Sequence, residues 1–128
     1  MSLIFYRRFA MISGFLAVSL GAFAAHGLKG YLNSYQADIW QTAVFYQFIH
    51  TLLLVFISNH QGLIKAAKAT ANRICGFLTL GIVLFSGSLY LIALTGISKL
   101  GLITPLGGTF FLLSWAYLFV AVNKLSQN

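Results

Sequence analysis

The chain has 128 residues, of which 59% are apolar and only 7% are charged, and eight bases against one acid give it a net charge of +7. Soluble domains carry about 25% charged residues, so this composition excludes an ordinary water-soluble domain and predicts a membrane protein. Because the bases lie between long apolar runs, they indicate membrane orientation rather than nucleic-acid binding. The single cysteine, Cys75, excludes an internal disulfide and a metal site built from several cysteines.

Four apolar runs follow one another along the chain, and each is long enough to be a transmembrane helix. A helix needs about 20 mainly apolar residues to cross about 30 Å of hydrocarbon. The runs cover about residues 9–26, 40–58, 74–96 and 103–122. They leave only short connections, so we predict a single all-α domain over residues 1–128, a four-transmembrane-helix bundle in the lipid bilayer.

The first run follows Arg7 and Arg8 and has two further features. Small residues are spaced four apart in two neighbouring rows, Ala10, Gly14, Val18 and Ala17, Gly21, Ala25, a spacing typical of helix contacts in membranes. The bases, the apolar run and Ala22-Phe23-Ala24 also resemble a secretory signal peptide with its cleavage site. However, the run is longer than the about 7–15 apolar residues of such a peptide, and cleavage would leave three spans. We therefore expect it to be retained as the first helix.

The second run carries a polar stripe in which Gln47 and His50 lie near the middle of the span, three residues apart and so on one helix face. Polar groups inside hydrocarbon are costly, so we expect both side chains to face the bundle interior. The third run offers Ser86 and Tyr90 as partners, and the fourth has Ser114 near its middle. The predicted polar layer consists of Gln47, His50, Ser86 and Ser114.

Two interpretations of this layer follow. Interhelical hydrogen bonds contribute about 0.6 kcal/mol each in membrane proteins, so the layer can be purely structural. Alternatively, it is a site for a small solute or a proton. One histidine and one glutamine do not specify a reaction, and the chain lacks a credible base–nucleophile pair for an enzyme. The sequence therefore favours a non-enzymatic membrane component, either a partner subunit of a larger membrane-protein complex or a homo-oligomer, with a small-solute transporter or channel as the alternative.

Two other functions are disfavoured by position. A haem held between two histidines needs both at one depth, but His26 ends the first helix, and His50 lies about 15 Å deeper at 1.5 Å per residue. A proton-coupled exporter of drug-like cations depends on a carboxylate inside the membrane, and the only acid, Asp38, lies at the edge of the first loop. We therefore expect no metal and no cofactor.

A second candidate group of polar residues lies toward the outer side of the membrane. Asp38 is expected to pair there with Lys29, Lys99 or His26, although such an exposed pair contributes little to stability. The outer-side group consists of His26, Lys29, Asp38, Tyr90 and Lys99.

The distribution of bases predicts the orientation. Two bases lie on the outer side, whereas six lie on the other, namely Arg7, Arg8, Lys65, Lys68, Arg73 and Lys124. Bases accumulate on the cytoplasmic side of short loops, so both termini are predicted to be cytoplasmic. Residues 59–72, the longest polar stretch, are expected to form a helix-linking turn. Alternatively, their lysines contact anionic headgroups, because this stretch is partly amphipathic, with one apolar face of Leu63, Ile64, Ala67 and Ala71.

Three motifs, in order along nearly the whole chain, resemble a known family. They are Gly21–Lys29 (GAFAAHGLK), Trp40–Val44 with Tyr46, Gln47 and His50, and the region from Phe85–Tyr90 through Thr95-Gly96, Leu100-Gly101 and Ile103–Gly108 to Trp115. These segments resemble the domain-of-unknown-function 423 family of YgdD/YwdK-type small inner-membrane proteins, which is related to the eukaryotic transmembrane protein 256.

The resemblance implies four transmembrane helices and an inner (plasma) membrane location, but it implies no established activity. It also argues against signal cleavage, because the first motif spans the cleavage site. The chain differs from the family pattern at two positions, and at both one small residue replaces another. Ala24 replaces a frequent glycine, and Ser114 replaces the glycine often found before the tryptophan. These departures affect only how closely the helices approach there.

Overall fold

The computed structural model describes residues 1–127, which form helices and no strand. The elements are α1 (Leu3–His26), α2 (Ser34–Asn59), α3 (Gln61–Gly81), a π-helical turn (Ile82–Ser86), α4 (Gly87–Thr95), a 3₁₀ turn (Ser98–Leu102) and α5 (Thr104–Ser126). The segments from α3 to α4 form one long helix, Gln61–Thr95, which we call the third span. Four helices are long and apolar enough to cross a membrane, which confirms the predicted fold class.

Local sequence signals explain where the helices begin and end. Asn33 and Gln36 form a reciprocal capping box at the start of α2, with backbone-to-side-chain bonds of 2.9 and 2.8 Å. Gly96 ends α4 with a φ of 71°, a left-handed conformation that glycine adopts without a steric penalty. Pro105 lies in the first turn of α5, where its missing N–H costs little.

The helices extend beyond the predicted apolar runs, and the largest difference concerns residues 59–72. The linking turn predicted there is wrong, because this stretch is helical from Gln61 onward, with a kink at Ala67 (φ −154°, ψ 64°). Its alanines and lysines favour helix, and the His60 ring accepts a hydrogen bond of 3.0 Å from the Leu63 N–H at the helix start. Leu63 and Ala71 are buried, so the predicted apolar face packs on the core.

The four spans are not packed equally against one another. α2 and the third span form the centre, α1 packs mainly on α2, and α5 packs mainly on the third span. This arrangement leaves one cleft between α1 and the third span and another between α2 and α5.

Several small residues of α1 make contacts within the chain. Ala10 and Ala17 are buried, and a methyl group at Gly21 would come within 3.3 Å of Val44 on α2. The α1–α2 contact is therefore a close approach through small side chains, the usual mode of helix packing in lipid. Val18 and Ala25 of the same rows stay exposed.

One end of the bundle contains the start of α1, the end of α5 and most of the bases. Arg7 Nε donates to the Ser58 carbonyl at 2.9 Å, and Asn72 Nδ2 donates to the Met1 carbonyl at 2.9 Å. We call this region the basic end, and it carries Arg7, Arg8, Lys65, Lys68, Arg73 and Lys124.

Candidate functional site

The interior of the bundle contains a hydrogen-bonded chain of four polar side chains from three spans. Gln47 Nε2 donates to the Ser13 carbonyl at 3.0 Å and to Ser13 Oγ at 3.3 Å. Ser13 Oγ lies 2.7 Å from Thr51 Oγ1, and Tyr90 O–H donates to Gln47 Oε1 at 2.6 Å. We call Thr51, Ser13, Gln47 and Tyr90 the interior polar chain. It joins α1, α2 and the third span at one level.

Gln47 is the centre of this chain, because both the NH₂ group and the oxygen of its side-chain amide form hydrogen bonds. The side chain is 5% exposed and faces the interior, as predicted from the stripe on α2. Its NH₂ group donates only to α1 and its oxygen accepts only from the third span. One α2 residue therefore holds the neighbouring spans on both sides, and its buried polar atoms are satisfied within the protein.

His50 forms a separate pair with Trp115 of α5. Trp115 Nε1 lies 3.1 Å from His50 Nε2, and His50 Nδ1 lies 2.8 Å from the Tyr46 carbonyl. An indole N–H can only donate and a carbonyl can only accept, so Nε2 is the acceptor and Nδ1 carries the proton. The ring also stacks on Phe111 at 3.6 Å between centroids. The imidazole is thus held in its neutral form with both nitrogens engaged.

This geometry limits the chemistry of His50. A metal ligand or a general base needs a free lone pair on an imidazole nitrogen. In His50 the lone pair of Nε2 is taken by Trp115, and Nδ1 bonds its own helix. Among residues 1–127, no group of three histidine, cysteine or acidic side chains is arranged to hold a metal ion.

The two serines of the predicted layer are buried but do not join Gln47 and His50 in one network. Ser86 Oγ donates to the Ala43 carbonyl on α2 at 2.7 Å, which joins the π-helical turn to α2. Ser114 Oγ donates to the Phe110 carbonyl of its own helix at 2.9 Å. The single layer predicted from the sequence is therefore replaced by separate contacts, because each hydroxyl reaches a backbone carbonyl before it reaches another side chain.

The outer-side group is divided by the structure. Tyr90 belongs to the interior, because its hydroxyl bonds Gln47 and its ring packs 4.7 Å from that of Trp40. The other members, His26, Lys29, Asp38 and Lys99, are exposed. The backbone carbonyl of Asp38 accepts a bond from Thr42 at 3.0 Å. Within residues 1–127 no hydrogen bond joins the Asp38 carboxylate to Lys29, Lys99 or His26, so that pairing stays a prediction.

Both lateral clefts lie against these polar contacts. The cleft between α1 and the third span has a volume of about 290 Å³, with Ser13, Gln47 and Tyr90 in its otherwise apolar lining. The cleft between α2 and α5 has a volume of about 420 Å³ and is mainly aromatic, with His50 and Trp115 in its lining.

Tyr90 was expected as a partner on the third span, but the sequence did not identify three other partners, Ser13, Thr51 and Trp115. Ser13 lies beside the rows of small residues on α1, and Thr51 follows His50 directly. Trp115, noted only as part of the family motif, is the partner of His50. Ser13 could have been identified because it is a polar residue beside the rows of small residues. The face with these rows packs closely on the next helix, so a polar side chain there can reach a polar group on that helix.

The chain was compared with known protein families and with individual proteins. A family model described as "Protein of unknown function (DUF423)" matches residues 20–108. The UPF0382 membrane protein YwdK of Bacillus subtilis (strain 168) is 43% identical over 117 residues, which cover 88% of this chain and 91% of that protein. The UPF0382 inner membrane protein YgdD of Escherichia coli (strain K12) is 40% identical over 127 residues, which cover 94% and 90%.

A third relative extends this similarity to another genus. The UPF0382 membrane protein SERP0230 of Staphylococcus epidermidis is 42% identical over 116 residues, which cover 90% of this chain and 92% of that protein. No solved structure matches the chain.

Proposed function

The chain belongs to the DUF423 family of proteins of unknown function, and on that basis we propose that it is a non-enzymatic component of the inner membrane. In this proposal it acts as a subunit that associates with another membrane protein or with its own copies. One observation carries the proposal: the polar side chains at the centre of the bundle are bonded to one another and to backbone carbonyls.

Polar groups whose hydrogen bonds are all made within the protein support a structural role, because catalysis needs a reactive group that is free to exchange protons or electron pairs. Gln47 is not titratable, and His50 has both nitrogens engaged. The thiol of Cys75 is buried in the apolar core. These contacts instead fix how the spans pack, which is what a subunit with a defined outer surface requires.

We further propose that the basic end faces the cytoplasm, so that both termini are cytoplasmic. The six bases gathered there support this orientation, since basic residues are retained on the cytoplasmic side of short loops. Reporter fusions at Gly62 and after the last residue should both read cytoplasmic, and a fusion near Tyr35 should read external. A periplasmic reading at the C-terminus would overturn the orientation.

A transporter or channel for a small solute is the second candidate, and one observation favours it. The cleft between α1 and the third span has Ser13, Gln47 and Tyr90 in its lining, and the π-helical turn Ile82–Ser86 lies beside it. π-Helical turns within α-helices are frequent at functional sites. A solute that displaced one bond of the interior polar chain would find both donors and acceptors there.

Paired measurements on His50→Gln and Gln47→Leu separate the two proposals. Thermal unfolding in detergent reports the fold, and complementation of a deletion strain reports the function. If the chain is a structural component, complementation follows stability, and His50→Gln complements fully. If both variants are folded and inserted but neither complements, the polar groups act on a solute and the structural proposal fails. The wild type and the folded variants are then purified from membranes in mild detergent. This purification tests whether the same partner protein stays bound to each of them.

A further inference from the structure

The basic end contains a cleft between the start of the third span and the end of α5, with a volume of about 270 Å³. Its lining combines two bases, Arg73 and Lys124, with the Thr70 hydroxyl and the Tyr117 ring, and its apolar part includes Val120 and Leu125. The cleft thus has a cationic part and an apolar part next to each other, at the surface between two spans.

The two bases have no acidic side chain to neutralise them. The only acid of the sequence is Asp38, which lies in the second turn of α2 at the opposite end of the bundle from Arg73. Four other bases share the basic end with Arg73 and Lys124. The electrostatic potential at this cleft is therefore positive, and an anion is the group that complements it.

The position of Arg73 suits a phosphate in particular. The centre of its guanidinium lies 5.4 Å from the centroid of the Tyr117 ring, a cation–π contact that restrains the side chain without using an N–H donor. A planar guanidinium can donate two parallel N–H bonds to one phosphate, and the Lys124 ammonium adds a second charge. The apolar wall has no role for free phosphate, but it suits an acyl chain.

We propose that this cleft binds the phosphate of an anionic glycerophospholipid, with one acyl chain along its apolar wall. Tyr117 lies seven residues from Lys124 on α5, which is about 10 Å deeper along the helix. A lipid of the adjacent leaflet meets Lys124 nearest the membrane surface and Arg73, beside the Tyr117 ring, deeper, with Val120 in the wall between them. Basic pockets between transmembrane helices bind anionic headgroups by the same chemistry. This inference requires neither the proposed subunit role nor a particular orientation.

Native mass spectrometry of the purified full-length protein tests the proposal. The protein is released from micelles that contain equal amounts of phosphatidylglycerol and phosphatidylcholine, and the bound lipid is counted. We expect phosphatidylglycerol to be retained preferentially. Each base is expected to contribute about fivefold, so in the double variant Arg73→Gln/Lys124→Gln the affinity for phosphatidylglycerol should fall about 25-fold.

A matched control is available at the opposite end of the bundle. The double variant Lys29→Gln/Lys99→Gln removes the same charge, and all four side chains are exposed, so neither variant should disturb the fold. Thermal unfolding in detergent checks this. The control should retain phosphatidylglycerol as the wild type does.

Four results would overturn the assignment. These are equal retention of phosphatidylcholine by the wild type, unchanged affinity in the Arg73/Lys124 variant, an equal loss in the Lys29/Lys99 control, and displacement of the lipid by inorganic phosphate at the same concentration. The last result would show that the cleft binds the free anion instead of a lipid.

Discussion

The interior polar chain and the basic end differ in how their polar groups are partnered. In the interior, four uncharged side chains bond one another at 2.6–3.3 Å. At the basic end, six bases gather without an acidic side chain among them. The interior polar chain has few polar groups, and all of them are paired with one another. The basic end has many charges, and none of them is neutralised by an acidic side chain.

The difference follows from the solvent that each region meets. An unpaired polar group in hydrocarbon costs several kcal/mol by apolar-transfer estimates, so it must find its partner inside the protein. At the membrane surface, water and headgroups solvate a base, and pairing with an acid adds about 0–1 kcal/mol. Changes in the interior should therefore act on stability, whereas changes at the basic end should act on what the surface binds.

The largest loss of stability is expected from Gly107→Ala, in the contact between α5 and the π-helical turn. A methyl group at Gly107 would overlap the backbone of Phe85, whereas one at Gly108 would lie at an ordinary 3.8 Å from the Phe85 ring. Crowding of a packed interior costs about 1–3 kcal/mol, so Gly107→Ala should lower the free energy of unfolding and Gly108→Ala should not. Unfolding of both variants in detergent checks this. Equal stability of the two would mean that this contact is not close.

Gln47→Leu should have the next largest effect, because the leucine keeps the volume but leaves Ser13 and Tyr90 without their shared partner. Interhelical bonds in membranes and newly unpaired buried groups together suggest a loss of about 1–2 kcal/mol. Gln41→Leu, at an exposed position of the same helix, is the control and should change little. Equilibrium unfolding in detergent gives the free energy of unfolding of both variants. A similar loss in both would show that the interior polar chain does not contribute specifically to stability.

His50 should be less sensitive than Gln47, since it contributes one interhelical hydrogen bond, to Trp115. His50→Leu should cost about 1 kcal/mol, and His50→Gln should be tolerated because an amide oxygen can accept the same indole N–H. Trp115→Phe combined with His50→Leu should cost less than the two single changes added together. A double-mutant cycle measured by unfolding decides this, and strict additivity would contradict the pairing.

The smallest effect on stability is expected at the basic end. Arg73→Gln/Lys124→Gln should change the free energy of unfolding by less than about 0.5 kcal/mol, as surface substitutions usually do. The measurement is made in a neutral detergent, where no anionic lipid is present. A loss as large as that of Gln47→Leu would mean that these bases stabilise the fold itself, and the contrast between the two regions would disappear.

The sequence predicted the four spans and the inward face of α2 because both depend on simple physical rules. Long apolar runs must be helices in lipid, and polar residues three apart share a face. Gln47 and His50 therefore turned out to be buried as expected.

The partners could not be predicted in the same way, because periodicity gives a face but not the neighbour that meets it. Ser86 reaches a carbonyl on α2 and Ser114 bonds its own helix. Of the two partners expected on the third span, only Tyr90 bonds Gln47. The helix after Asn59 was missed because lysines in an alanine-rich stretch resemble a polar loop, although both residue types favour helix.

The neutral state of His50 has an electrical consequence. A membrane potential acts on charges that lie within its field, with about 2.3 kcal/mol per elementary charge moved across 100 mV. The imidazole of His50, held between Trp115 and the Tyr46 carbonyl, is uncharged. At the level of His50 the field therefore finds no charge on this ring to act on, and the contact between His50 and Trp115 should be the same in an energised and a de-energised membrane.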